Sequence, residues 1–90
     1  MIKSYQLIIK GRVQGVFYRA SMRDKARELG ASGFVKNMED GSVYAEIEGE
    51  EETLGKMIDW CKRGPINSKV DEIDVLEQPN KAYKSFEISR

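Results

Sequence analysis

The sequence predicts an α+β fold in which two helices pack on one face of an antiparallel sheet. Three features lead to this prediction. Apolar residues alternate along the first segment, two later segments carry apolar residues at helical spacing, and an Asp-Gly pair separates two extended segments. Because a chain of 90 residues buries a single core, residues 1–90 are expected to form one domain.

A first strand and a first helix are predicted in the N-terminal third. The strand is indicated by residues of one parity: Tyr5, Leu7, Ile9, Gly11 and Val13. Helical spacing replaces this alternation over residues 20–29, where Met22, Ala26 and Leu29 fall on one face. Gly30 is expected to end this helix, because glycine readily adopts the left-handed conformation that follows many helices.

A β-hairpin is predicted next. Two extended segments, residues 34–38 and 42–48, are joined by Glu39-Asp40-Gly41, and tight turns need residues that accept positive φ. Alternate residues of the second segment are predicted to be buried (Val43, Ala45 and Ile47) or to face water (Tyr44, Glu46 and Glu48).

A second helix is predicted over residues 50–63. Acidic residues open it and basic residues close it, which complements the helix dipole, and Gly64-Pro65 ends it. Its expected buried stripe consists of Leu54, Met57, Ile58 and Cys61. Later strands are marked by Ile73 and Val75 and, after the turn at Gln78-Pro79-Asn80, by Phe86 and Ile88. The order βαββαβ with a short C-terminal strand matches the ferredoxin-like split βαβ arrangement.

Composition narrows the possible functions. Lys plus Arg number 15 and Asp plus Glu number 15, so no overall positive charge attracts nucleic acid or an anionic membrane, and neither is expected as a partner. The absence of histidine removes histidine bases and histidine-ligated metal sites. Cys61 is the only cysteine and no stretch is apolar enough to span a bilayer, so we expect a cytoplasmic protein, taken here as a monomer.

A glycine-containing loop between the first strand and the first helix is the strongest functional signal. It reads Gly11-Arg12-Val13-Gln14-Gly15-Val16-Phe17-Tyr18-Arg19. Glycine at Gly11 and Gly15 lets the backbone curl, so successive N–H groups can point into one concavity that suits a tetrahedral anion. Arg19 adds a planar fork of donors, and the helix start adds its positive dipole end. The loop is therefore predicted to bind a phosphoryl group.

Two segments of the chain resemble the signatures of the acylphosphatase family. One is residues 9–19, and the other is Gly33-Phe34-Val35-Lys36-Asn37-Met38-Glu39-Asp40-Gly41-Ser42-Val43, extending to Gly49. Both have the family's spacing and order, and the order of the remaining elements agrees, so the resemblance covers nearly the whole chain. Phe17 stands where many relatives have glycine, and Tyr18 where phenylalanine is common.

The resemblance implies an enzyme that hydrolyses the carboxyl-phosphate anhydride of small acyl phosphates, without a metal, another cofactor or a covalent phosphoenzyme. It implies that Arg19 binds the phosphoryl oxygens and that Asn37 positions the attacking water. The backbone N–H groups implied to assist are those of Gly15, Val16, Phe17, Tyr18 and Arg19.

Other interpretations stay open beside these. Taken alone, Arg19 could be a solvated charge at a helix start, and Asn37 a turn residue bonding its own backbone. Cys61 is expected in the core rather than as a reactive thiol, and the glutamates at 50–52 at a helix start rather than around a metal. For the whole chain, the alternatives are a non-catalytic module that binds an anion or acyl phosphate, and an RNA-binding ferredoxin-like domain. The RNA-binding alternative lacks the expected aromatic sheet motif and basic composition.

Overall fold

A computed structural model describes residues 1–89, and its elements follow the predicted order. They are β1 (Ile2–Arg12), α1 (Tyr18–Leu29), β2 (Ser32–Asn37), β3 (Val43–Glu50), α2 (Glu51–Arg63), β4 (Lys69–Glu77) and β5 (Phe86–Ile88). The predicted α+β class and ferredoxin-like order are confirmed. No helix in the described part of the chain has the length and apolar character to cross a membrane.

The five strands form one sheet in the order β4-β1-β3-β2-β5. The pairs β1–β3, β1–β4 and β2–β3 are antiparallel, as predicted, whereas β5 pairs in parallel with β2. The sheet is therefore mixed at one edge. The cause is that β4 ends at the end of the sheet where β2 begins. The chain crosses to the far edge there, so β5 starts beside the start of β2.

The core lies between the two helices and one face of the sheet. Its main strand residues are Leu7, Ile9, Val35, Val43, Ala45 and Ile47, and its main helix residues are Met22, Ala26, Leu54, Met57 and Cys61. The predicted buried face of β3 is thus confirmed. In the predicted stripe of α2, Ile58 is only partly buried and the other members are fully buried.

The opposite face of β3 is not wet, contrary to prediction. Glu46 and Glu48 are only 6% and 5% exposed. The segment of residues 78–85, called the strap below, crosses this face between β4 and β5, and its Gln78 donates from Nε2 to Glu46 Oε1 at 2.9 Å. Alternation along β3 distinguishes the two faces of the sheet, but it carries no information about a distant connecting segment that covers one of them.

Candidate active site

The loop of residues 13–17 connects β1 to α1. Gly15 has a positive φ (73°), in keeping with the predicted curl of the backbone, and Phe17 also has one (63°), which the sequence does not indicate. Gly11 (φ 129°) lies at a β-bulge, where β1 shifts register against β4 between Lys10 and Gly11. Within residues 1–89, the N–H groups of Gly15, Val16 and Phe17 find no acceptor. The loop therefore presents main-chain donors that the described fold does not use.

The N-terminus of α1 carries uncompensated positive charge. The helix begins at Tyr18, two residues earlier than predicted, so Arg19 lies in its first turn. That turn contains no acidic residue, and Phe17 at the N-cap offers no side-chain hydrogen bond. Arg19 is half-buried and forms no ion pair with any carboxylate of residues 1–89. The dipole and the guanidinium together favour an anion at this position.

Asn37 reaches the same end of the sheet from a different segment. It is the last residue of β2 and pairs with Val43, which in turn pairs with Ile9 near the end of β1. The side-chain Oδ1 of Asn37 is buried and has no hydrogen-bond donor within residues 1–89. A buried acceptor without a donor costs roughly 1–3 kcal/mol, so such an atom invites a functional explanation.

One pocket of about 570 Å³ unites these features. It is lined by Val13, Gly15, Phe17, Tyr18, Arg19, Ala20, Asn37 and Ile88. Both residues predicted to be catalytic thus line one pocket, together with four of the five residues predicted to bind phosphate. Val16 does not line the pocket, and its side chain belongs to the core.

Gln14 has a role in the site that the sequence pattern does not indicate. Its Nε2 donates to two backbone oxygens, those of Met38 and Ser42, each at 2.8 Å. These oxygens belong to the turn between β2 and β3, directly after Asn37. The available signal was a long amide side chain inside an otherwise apolar and glycine-containing loop. Gln14 therefore ties the loop to the hairpin that carries Asn37.

The hairpin turn is itself held by side-chain hydrogen bonds. Asp40 Oδ1 accepts from the hydroxyl of Ser42 at 2.6 Å and from its backbone N–H at 2.9 Å. The bonds from Ser42 favour the ionised carboxylate and lower the pKa of Asp40. A fixed turn keeps the two carbonyl groups that Gln14 contacts in place.

The two aromatic residues before Arg19 occupy different environments. Tyr18 is buried, packs against Trp60 with the rings tilted by 51° and their centroids 5.4 Å apart, and its hydroxyl donates to the carbonyl oxygen of Cys61 at 2.7 Å. Cys61 is fully buried, which confirms its predicted core position, and this burial raises the pKa of its thiol to about 12. Phe17 is instead 81% exposed on the pocket wall.

The glutamates at 50–52 lie at the start of the second helix, as predicted. Glu50 is the N-cap residue of α2, and Glu51 and Glu52 lie in its first turn. No group of three or more metal-ligating side chains that could hold an ion occurs in residues 1–89.

Fold and pocket together define a small α+β protein in which a loop with unused main-chain donors lies beside an amide side chain in one pocket. Residues 5–88 match the family model described as Acylphosphatase. The chain belongs to the acylphosphatase family, a family of hydrolases that act on small acyl phosphates.

Curated relatives extend over most of the chain. An acylphosphatase of Roseiflexus sp. (strain RS-1) is 48% identical over 83 residues, which is 91% of this chain and 89% of the relative. An acylphosphatase of Aeropyrum pernix is 46% identical over 85 residues, covering 92% of this chain and 84% of the relative.

Solved structures agree with this assignment. The acylphosphatase of Bacillus subtilis superposes with a TM-score of 0.95 at 35% identity and covers 100% of both chains. An acylphosphatase from Coxiella burnetii gives 0.94 at 32% identity, covering 98% of this chain and 93% of the other. Full-length HypF in its phosphate- and nucleotide-bound form gives 0.89 at 34% identity. That match covers 100% of this chain but 12% of HypF.

Proposed function

We propose that this protein hydrolyses small acyl phosphates by in-line attack of a water that Asn37 positions on a phosphoryl group held by Arg19 and the loop amides. One observation carries the proposal. Arg19 and Asn37 come from separate segments yet line the same pocket, with polar groups that nothing in residues 1–89 satisfies.

Arg19 and the loop divide the phosphoryl oxygens between them. The guanidinium donates two parallel charge-assisted hydrogen bonds to neighbouring oxygens, and the N–H groups of residues 15–19 donate to the third oxygen. The loop N–H groups are part of the folded backbone before the substrate arrives, so these donors need little reorganisation as charge spreads over the equatorial oxygens. In phosphoryl transfer the protein contributes little covalent chemistry, so binding and positioning supply most of the catalysis.

Asn37 holds the nucleophile. Its amide combines an acceptor and donors, and its terminal torsion is soft, so a small rotation presents Oδ1 to a water in line with the bond that breaks. The water oxygen bonds to phosphorus as the phosphorus–oxygen bond to the acyl group breaks, and that electron pair leaves on the carboxylate. The proton of the water passes to a phosphoryl oxygen, because an amide is no base. A carboxylate leaves readily, so the step requires no strong general acid and no metal.

The proposal extends to the setting in which the enzyme works. We take residues 1–90 as a single domain that acts as a monomer in the cytoplasm, without nucleic acid as a partner. The single core, the balanced charge and the buried lone thiol support this setting. Light scattering of the purified chain tests the monomer.

A second candidate is a non-catalytic module that binds an acyl phosphate or anion. The specific observation in its favour is the match to HypF, in which the corresponding region makes up 12% of the chain. Binding of inorganic phosphate without any hydrolysis would favour the module.

The decisive experiment is steady-state hydrolysis of acetyl phosphate in excess chelator. We expect Arg19→Ala to lower kcat/KM by roughly 10³-fold or more, the scale of a transition-state arginine. Arg19→Lys should lose most of the activity as well, because a point charge cannot make the bidentate contact. Arg23→Ala is the matched control, since Arg23 lies on the same helix but bonds Asp24 at 3.3 Å.

Each outcome of this experiment is informative. Activity that survives Arg19→Ala would reject the assigned site, and activity that disappears with the chelator would reject the metal-free step. If the unmodified protein binds phosphate but shows no turnover, the enzyme hypothesis is rejected in favour of the non-catalytic module.

A further inference from the structure

Phe17 combines a strained backbone with an exposed side chain. Its φ of 63° places it in the left-handed region, which is unfavourable for every residue except glycine and, to a lesser degree, asparagine and aspartate. Its side chain is 81% exposed, so burial does not compensate for the strain. Because glycine would adopt this conformation without strain, the aromatic side chain adds nothing evident to the fold. Backbone outliers of this kind concentrate at functional sites.

The position of Phe17 indicates what the side chain contacts. Phe17 lies two residues before Arg19 and lines the same pocket. The polar lining residues are Gly15, Arg19 and Asn37, whereas Val13, Phe17, Ala20 and Ile88 supply apolar surface. A pocket of about 570 Å³ is in the range of small-molecule sites, roughly 300–1,000 Å³, and exceeds what a phosphoryl group alone fills. The apolar surface is therefore available to the rest of the substrate.

We infer that Phe17 contacts the acyl group of the substrate and makes the enzyme prefer acyl phosphates with an extended apolar acyl group over those with a small or polar one. This inference rests on the proposed function, because the phosphoryl group must be held at Arg19 for the acyl group to reach Phe17. The contact lies away from the reacting phosphorus and is the same before and during the reaction. It should therefore lower KM more than it raises kcat.

The size of the expected preference follows from the hydrophobic effect. Each methylene fully removed from water favours binding roughly fourfold, and a pocket open on one side removes only part of the chain from water. We expect kcat/KM for hexanoyl phosphate to exceed that for acetyl phosphate by roughly tenfold, with most of the difference in KM.

The test is the ratio of these two kcat/KM values in Phe17 variants. Both substrates carry the same phosphoryl group, so the ratio cancels any change in the loop amides. Phe17→Asn removes the apolar surface, yet asparagine tolerates the left-handed conformation, and the ratio should fall to roughly 1–2. Phe17→Leu restores apolar surface and should retain most of the preference. Leu76→Asn is the matched control, because Leu76 is 64% exposed on edge strand β4 outside the pocket, and its ratio should stay at the unmodified value.

Two results would overturn the inference. One is a ratio in Phe17→Asn that equals the ratio of the unmodified protein, and the other is a clear fall in melting temperature for Phe17→Asn, which would give the side chain a role in the fold. Failure of the proposed function is recognised separately. It appears as acetyl phosphate hydrolysis that survives Arg19→Ala, whatever the ratio in the Phe17 variants.

Discussion

The two ends of the sheet differ in whether their polar side chains have hydrogen-bond partners. At the end where β1 finishes, the side chain of Arg19 and the Oδ1 of Asn37 have no partner within residues 1–89. Toward the other end, the strap (residues 78–85) covers Glu46 and Glu48, and both carboxylates are hydrogen-bonded through each of their oxygens. Polar groups are thus left free at one end and satisfied at the other.

The network under the strap is extensive. Glu46 accepts from Gln78 Nε2 at 2.9 Å, from the Tyr44 hydroxyl at 2.6 Å and from the Tyr83 hydroxyl. Glu48 accepts from two backbone N–H groups of the strap, at 2.6 and 3.1 Å. Buried carboxylates are tolerated only with such partners, so this end of the sheet is built for stability.

The two helices repeat the same contrast. The first turn of α2 contains Glu51 and Glu52, whose charges complement the positive end of its dipole. The first turn of α1 contains no acidic residue and carries Arg19 instead. This fold therefore neutralises the helix start that lies outside the pocket and leaves without acidic residues the helix start that lines it.

After Arg19→Ala, the largest effect is expected from Asn37→Ala. Loss of the water-positioning amide should lower kcat for acetyl phosphate by roughly 10²–10³-fold, while the inhibition constant for inorganic phosphate changes far less. The free energy of unfolding should not fall, because the variant removes a buried acceptor that lacks a donor. Asn80→Ala is the control, since Asn80 lies in the strap and donates to the carbonyl oxygen of Ile2. A loss of phosphate affinity as large as the loss of kcat would contradict the assigned role.

Glu46→Ala is expected to lower stability and to leave kcat unchanged, the reverse of Asn37→Ala. Three donors, those of Tyr44, Gln78 and Tyr83, lose their acceptor, so the free energy of unfolding should fall by roughly 2–4 kcal/mol in urea titrations. The kcat of the folded protein should be retained, because Glu46 does not line the pocket. Glu72→Ala, an exposed carboxylate 4.0 Å from Lys10, should change stability by less than about 0.5 kcal/mol. Equal effects of the two variants would remove the contrast between the two ends.

Local pattern was sufficient to predict the order of the elements, and five of the eight residues that line the pocket are among the predicted site residues. The strand alternation, the helical spacing and the Asp-Gly turn each act over a few residues, so β1, α1 and the hairpin follow from them. Arg19 and Asn37 were found through two signatures whose spacing is also local. That they meet follows from the register of β1 and β2 on β3.

The features that pattern missed depend on distant contacts. The burial of Glu46 depends on the strap, which follows much later in the chain. Gln78, which bonds Glu46, lies 32 residues after it. The bonds of Gln14 reach 24 and 28 residues along the chain. The positive φ of Phe17 follows from how the loop joins α1, and phenylalanine is among the residues least expected there.

A smaller effect is expected when the link between loop and hairpin is cut. Gln14→Ala removes both donors that join the loop to the carbonyl groups of Met38 and Ser42, and kcat/KM should fall roughly tenfold as the geometry between Arg19 and Asn37 loosens. Gln14→Met keeps the bulk without the donors and should lose as much, which separates hydrogen bonding from packing. Gln6→Ala, an amide bonded to Gln78 Oε1 at 2.9 Å, should leave kcat/KM unchanged. Full activity in Gln14→Met would show that Gln14 only fills space.

The smallest effect is expected in the acid dependence of stability. Burial raises the pKa of Glu46, but hydrogen bonds from Tyr44, Tyr83 and Gln78 outweigh it, so the pKa is lowered from 4.5. A lowered pKa in the folded state means that the carboxylate contributes its full stability above pH 4.5 and loses it as the pH falls through the folded value. Urea titrations from about pH 6 to about pH 3 should therefore show the stability gap between the unmodified protein and Glu46→Gln narrowing below pH 4.5. A gap that widens toward acid would mean that Glu46 is held protonated under the strap, and the two ends of the sheet would then differ less than their hydrogen bonds indicate.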